Sequence, residues 1–211
     1  MRSTNIIRTI ATVVLLAAPL ALHAQRRATA RPAAARPAAA PMNDRSGYSL
    51  SLGLGGGSNA LSCAGCVSTR ETGASGYLRV GKGMTPSLMA GVELNGWNKA
   101  ENQATARTGM LSAIAQYYPS MTNGFFVKSG VGLGRTTLQD NSTTPSSKLQ
   151  STGLGYQFGL GYDMSIARRW SITPYVNYLA TAGANAKLNG VDMNEKLNAN
   201  YVQYGLGLSW R

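Results

Sequence analysis

The final run of the chain, Asn200 to Trp210, alternates strictly between two kinds of side chain. Val202, Tyr204, Leu206, Leu208 and Trp210 share one phase, and Tyr201, Gln203, Gly205, Gly207 and Ser209 share the other. A period of two places the sets on opposite faces of a β-strand. A soluble barrel turns its greasy face inward. Here the large apolar residues lie on one face and Gly, Ser, Gln or charge on the other, and earlier runs repeat the pattern. That is the inverted layout of a barrel whose outside meets lipid and whose lumen is polar.

The first residues are consistent with export. Arg2 and Arg8 precede an apolar stretch from Ile10 to Leu22, followed by Ala24 and Gln25. A basic start, a short apolar core and a small residue at the cut predict a signal peptide over residues 1–24. The apolar run is too short for a spanning helix, and no later segment is continuously apolar. Residues 25–45 contain RPAAARPAAAP and no aromatic residue. Such a segment cannot bury a core and is expected to be an extended, cationic periplasmic linker. The formal net charge is +12, but from Ser46 onward there are 13 basic and 7 acidic residues, a balance of +6. Much of the charge therefore lies in the leader and linker, and nucleic acid is not an expected partner.

Residues 46–211 read as an all-β domain, an eight-stranded antiparallel transmembrane β-barrel in an up-and-down meander. The strands are expected over 46–57, 73–83, 88–97, 107–118, 124–138, 151–166, 170–181 and 199–210. Long connections rich in Asn, Ser, Thr and charge are expected at 58–72, 98–106, 139–150 and 182–198. Short turns are expected at 84–87, 119–123 and 167–169, where MTPS and PSMTN supply turn residues. Short periplasmic turns opposite long external loops are the membrane-barrel plan. With the export signal and no helical span, they point to the outer membrane of a diderm bacterium.

On these features the chain resembles the eight-stranded outer-membrane barrels of the OmpA/OmpX type over about residues 46–211. The resemblance carries architecture, with no catalytic signature. It implies outer-membrane lipid and lipopolysaccharide as surroundings, a monomer, and recognition of the C-terminal strand by the barrel assembly machinery. Trp210 stands near the end, where these families place an aromatic residue, and Arg211 follows it.

Alternation also sorts individual residues. Tyr48, Leu50, Leu52 and Leu54 share the outward phase of the first strand; Trp170 and Trp210 lie beside the periplasmic side. Tyr48, Trp170 and Trp210 are the candidate aromatic girdle, with Trp97 a further candidate. Arg79, Glu93, Lys128 and Asp163 fall on inward positions. Arg79 with Glu93, and Lys128 with Asp163, are expected to pair and plug the lumen, since buried charges need partners. Gly53, Gly161, Gly205, Gly207 and other inward glycines leave room for water, for large neighbours such as Tyr77, Tyr175 and Tyr201, or for strand curvature.

Catalysis is not expected. The only histidine is His23, inside the predicted leader, so a Ser–His arrangement is missing from the exported chain. The acidic loop residues are scattered, and no catalytic residue, metal ligand or cofactor is assigned. Cys63 and Cys66 form CAGC in the first long loop, and a loop disulfide is expected in an oxidising compartment. The expected function is a structural or surface-interaction barrel with a lumen plugged by polar side chains and an external ligand that no motif names. The alternative is a narrow porin-like channel for ions or small solutes.

Overall fold

The computed structural model describes residues 45–62, 70–142, 146–183 and 185–211. The predicted leader, all of the predicted linker but Arg45, and the Cys63–Cys66 pair lie outside the described residues. The strands are β1 (Gly47–Ser62), β2 (Arg70–Thr85), β3 (Leu88–Glu101), β4 (Ala104–Tyr117), β5 (Phe125–Asp140), β6 (Ser147–Tyr162), β7 (Met164–Ala167), β8 (Trp170–Gly183), β9 (Asn185–Leu188), β10 (Val191–Lys196) and β11 (Asn198–Trp210). Three of these are short: β7 continues the line of β6 beyond Asp163, and β9 and β10 form an external hairpin. The other eight form a closed antiparallel meander, sealed by β1 against β11 and by β6 against β8.

One row of hydrogen-bonded neighbours shows why the outside is lipid-facing. It runs Met164–Ile172–Leu208–Leu52–Leu78–Leu94–Leu111–Leu133–Leu154, passing once around the barrel. The row begins and ends on the β6–β7 line, ten residues apart. That offset over eight strands tilts them by about 40° and sets a radius of roughly 8 Å. At this tilt ten residues climb about 25 Å, the height of an outer-membrane apolar band. The row is thus a ramp of apolar side chains that scales the whole band in one turn. The outward leucines Leu52, Leu94, Leu133 and Leu154 are all more than half exposed. In water that would be an untenable surface; in lipid it is the stable one.

The strands extend farther than polarity suggested. β3 and β4 meet in a two-residue turn at Asn102–Gln103, where a loop over 98–106 was expected, and β1, β2, β5 and β6 also run into the expected loop regions. Polar residues mark where the membrane ends, not where pairing ends, because a hairpin continues to satisfy its backbone in water. The β9–β10 turn is Asn189–Gly190, with both φ angles positive (50° and 89°), the backbone that a tight hairpin demands.

Candidate functional site: the barrel lumen and its two ends

Inward positions of neighbouring strands meet across a space only a few side chains wide. At mid-depth Glu93 of β3 is fully buried and holds two cations. Arg79 of β2 donates through Nε to Glu93 Oε2 at 2.6 Å. Lys128 of β5 donates through Nζ to Oε1 at 2.6 Å and to Oε2 at 2.7 Å. Asn95 Nδ2 adds a bond to Oε1 at 3.0 Å. Every lone-pair direction of the carboxylate is engaged, which such a site requires if a charge is to stay buried. Register explains the first contact, since Arg79 and Glu93 are direct partners on adjacent strands.

The expected Lys128–Asp163 pair is not formed, and this is a correction to the sequence expectation. Lys128 lies opposite Gly159 on β6, four residues short of Asp163. Its long side chain instead crosses the lumen to Glu93. Asp163 belongs to the periplasmic end, where it pairs with Arg211 and accepts from Tyr118 Oη at 2.7 Å and from Thr173 Oγ1 at 2.6 Å. Depth matching across a sheet cannot foresee contacts through the middle of a closed barrel.

The two centres are joined by a relay. Arg79 donates to Gln116 Oε1 at 2.8 Å, and Gln116 Nε2 donates to Tyr118 Oη at 2.6 Å. A side branch runs from Asn95 to Gln157 Oε1 at 3.0 Å, and from Gln157 Nε2 to Ser112 Oγ at 2.6 Å. Gln116 of β4, and Tyr118 just beyond its end, could not be placed from phase because β4 carries apolar residues on both faces. Arg211 continues the inward phase of Gln203 and Ser209 by period two, a signal that was present in the sequence.

Arg45 corrects the linker boundary. It is buried, its guanidinium stands 3.8 Å from the Tyr118 ring centroid, and it donates to the carbonyls of Pro86 at 3.4 Å, in the β2–β3 turn, and of Ser120 at 3.2 Å and Asn123 at 2.5 Å, in the β4–β5 turn. It therefore ties the N-terminal entry to the periplasmic turns. Above the charged layer, Trp97, Met110, Leu179 and Tyr201 form an apolar layer. Trp97 is not a girdle residue: it faces inward and donates from its ring nitrogen to the Gly57 carbonyl at 3.0 Å. Tyr48, Trp170 and Trp210 face outward near the periplasmic end, with Trp170 and Trp210 directly paired across β8 and β11.

The inward glycines make room. A Cβ on Gly53 or Gly207 would collide with the Tyr77 ring, and one on Gly161 with Phe126. Tyr77 in turn packs edge-on to Tyr175 at 4.8 Å between centroids and lies 4.7 Å below the Arg79 guanidinium. Large side chains from one wall thus fill the space that glycine leaves on another.

The comparisons agree with this geometry. Neisserial surface protein A superposes with a TM-score of 0.52 at 15% identity, over 78% of this chain and 97% of that one. The attachment invasion locus protein Ail of Yersinia pestis gives 0.56 at 13% identity, over 78% and 99%. Ail in complex with the heparin analogue sucrose octasulfate gives 0.53 at 13%, over 77% and 97%. At these identities the likeness is one of fold. The chain matches no curated protein. The autotransporter beta-domain model matches residues 74–211, more than half of the chain. Closed on itself, apolar outside and polar within, the chain belongs to the autotransporter beta-domain family and is an outer-membrane β-barrel of a Gram-negative bacterium.

Proposed function

We propose that this protein is a non-catalytic barrel of the OmpA/OmpX design, with a lumen plugged by polar side chains and a role in structure or surface interaction. The observation that supports this most is the Arg79–Glu93–Lys128 centre, which spans the lumen from three strands with each contact at 2.6–2.7 Å. Opening a pore here would mean separating charges in a confined site, which costs several kcal/mol. Arg45 across the periplasmic mouth and the apolar Trp97 layer above add two further obstructions. The absence of any histidine beyond His23 argues against hydrolase chemistry.

The surroundings follow from the outer surface. Lipid covers the leucine ramp. Arg107 and Arg135 are exposed on adjacent strands at the external edge of the apolar band, ten residues from Tyr117 and Phe125 on their own strands. They suit the phosphates of lipopolysaccharide. Trp210 and β11 are what the barrel assembly machinery would engage, and the barrel is proposed to work as a monomer.

A narrow channel is the second reading, and one observation favours it. The hydroxyls of Tyr77, Tyr175 and Tyr201 and the Nη2 of Arg79 have no hydrogen-bond partner among the described residues. Buried polar atoms of that kind are commonly satisfied by water, and a file of water is a path. Conductance of the refolded barrel in planar bilayers separates the two. Silence in wild type, with steps appearing in an Arg45→Ala/Glu93→Ala variant, supports the plug; steady wild-type conductance supports the channel.

A further inference from the structure

Above the Trp97 layer the protruding strands enclose an open vestibule of about 830 Å³. Its lower tier is a single inward row across five strands: Lys99, Ala106, Leu138, Leu149 and Leu188. Ala106 rests on the buried apolar layer, so the vestibule has a dry floor. The three leucines are only half-buried, although they stand in a water-facing mouth above the lipid band. The next inward row, at the rim, is Glu101, Ala104, Asp140 and Ser147.

The charge at this mouth is lopsided. Lys99 is the one cation lining the vestibule among the described residues, and it is already held by Glu101 at 2.6 Å and Glu71 at 3.2 Å. Among the described residues that line the vestibule, Glu71, Glu101 and Asp140 together leave two negative charges beyond the one that Lys99 offsets. Glu101 and Asp140 flank β4 on either side, so their strands are roughly 10 Å apart, directly above the leucine wall. A mostly apolar cavity of this size with a few convergent polar groups, placed in a barrel mouth, has the properties of a small-molecule site.

We propose that the vestibule binds a small amphiphile with an apolar body and a single ammonium head, the body against Leu138, Leu149 and Leu188 and the head between Glu101 and Asp140. The commitment to a cation rests on charge complementarity: an anionic or zwitterionic head would face the same two carboxylates at a cost. The ionised state of the rim is secured locally. The Lys99 ammonium bonded to Glu101 holds that carboxyl below its ordinary value, and the bonds from Ser142 do the same for Asp140, whose Oδ1 accepts from the Ser142 backbone N–H at 2.8 Å. This deepens the surface-interaction reading, and it is separable from the plug because one is measured as binding and the other as conductance.

The test uses the refolded full barrel in zwitterionic nanodiscs, with empty nanodiscs as the blank, and three matched probes: 1-naphthylmethylammonium, 1-naphthylmethanol and 1-naphthylacetate. Titration calorimetry should show the ammonium binding at least tenfold more tightly than the carboxylate. Glu101→Gln and Asp140→Asn should each lower that ratio severalfold while leaving the neutral probe unchanged. Leu149→Ser should weaken all three probes about tenfold. Leu138→Ala, a gentler change on the neighbouring strand, should act in the same direction. Equal binding of the charged probes, ammonium binding no stronger than to empty discs, or ammonium binding indifferent to both leucine changes would each overturn the proposal.

Discussion

Glu93 carries more of the lumen than any other side chain, because two cations and an amide converge on it. Glu93→Ala leaves Arg79 and Lys128 unopposed in a confined site and is expected to cost about 3–5 kcal/mol, read as a shift in urea unfolding in bilayers. Lys128→Met keeps the Arg79–Glu93 pair and should cost clearly less. A Glu93→Gln/Lys128→Met variant should recover part of the loss, since it removes one charge of each sign. If Glu93→Ala and Lys128→Met proved equally costly, the hub description would fail. At the external rim, Glu101 offers a pH test. Its carboxyl sits below the ordinary range because Lys99 hydrogen-bonds to it. A depressed carboxylate contributes stability above the unfolded value of about 4.3, and loses it as pH falls through the folded value. NMR titration of the Glu101 carboxyl should show a low midpoint that moves up in Lys99→Met; an unmoved midpoint would dismiss the contact.

At the scale of strands, orientation is the testable quantity. Leu160 of β6 faces lipid between Tyr162 and Phe158, and Gly159 and Gly161 beside it face the lumen. Leu160→Arg is expected to cost about 2–4 kcal/mol near the midplane, and a negligible change in bilayer unfolding would count against the assignment. The β9–β10 hairpin behaves differently, since it extends the wall above the lipid band and is joined to β6 through only two register pairs, Leu149 with Leu188 and Gln150 with Lys187. Gly190 has φ 89°, and a β-branched residue is disfavoured there. Gly190→Val should therefore fray the hairpin, raising amide exchange near residues 185–196, with little change in global unfolding. Loss of the whole barrel in that variant would show that the hairpin is integral to closure.

For the molecule as a whole, closure converts local alternation into two environments with opposite demands. The outer one selects leucine on neighbouring strands, and the inner one selects side chains that can pair across the lumen. Arg45 and Arg211, just before the first strand and just after the last, join this scheme at the periplasmic end: their cations both lie against the Tyr118 ring. Arg45→Ala should remove the hydrogen bonds to two periplasmic turns at a cost of about 1.5–3 kcal/mol. Thermal unfolding in nanodiscs would check it, and an unchanged midpoint would place Arg45 among incidental contacts.

Alternation was enough to determine the fold class, the eight long strands and, in every strand but β4, which face meets lipid, because a period of two is a local property and a slip of one residue would reverse every side chain; β4 carries small and apolar residues on both faces and left its phase open. Tyr48, Trp170 and Trp210 could be placed from phase, and so could Arg79 opposite Glu93, which are register partners on one hairpin. What only the tertiary structure decided lies across the lumen or beyond the membrane. Lys128 reaches Glu93 rather than Asp163, Trp97 turns inward to a carbonyl, and Arg45 returns from the linker to the periplasmic turns. Each of these contacts joins residues far apart in sequence through the interior of a closed ring, where the pairing depends on radius, tilt and side-chain length together. The extent of the external hairpins was hidden for a different reason: polar composition reports the edge of the lipid, whereas backbone pairing continues past it into water.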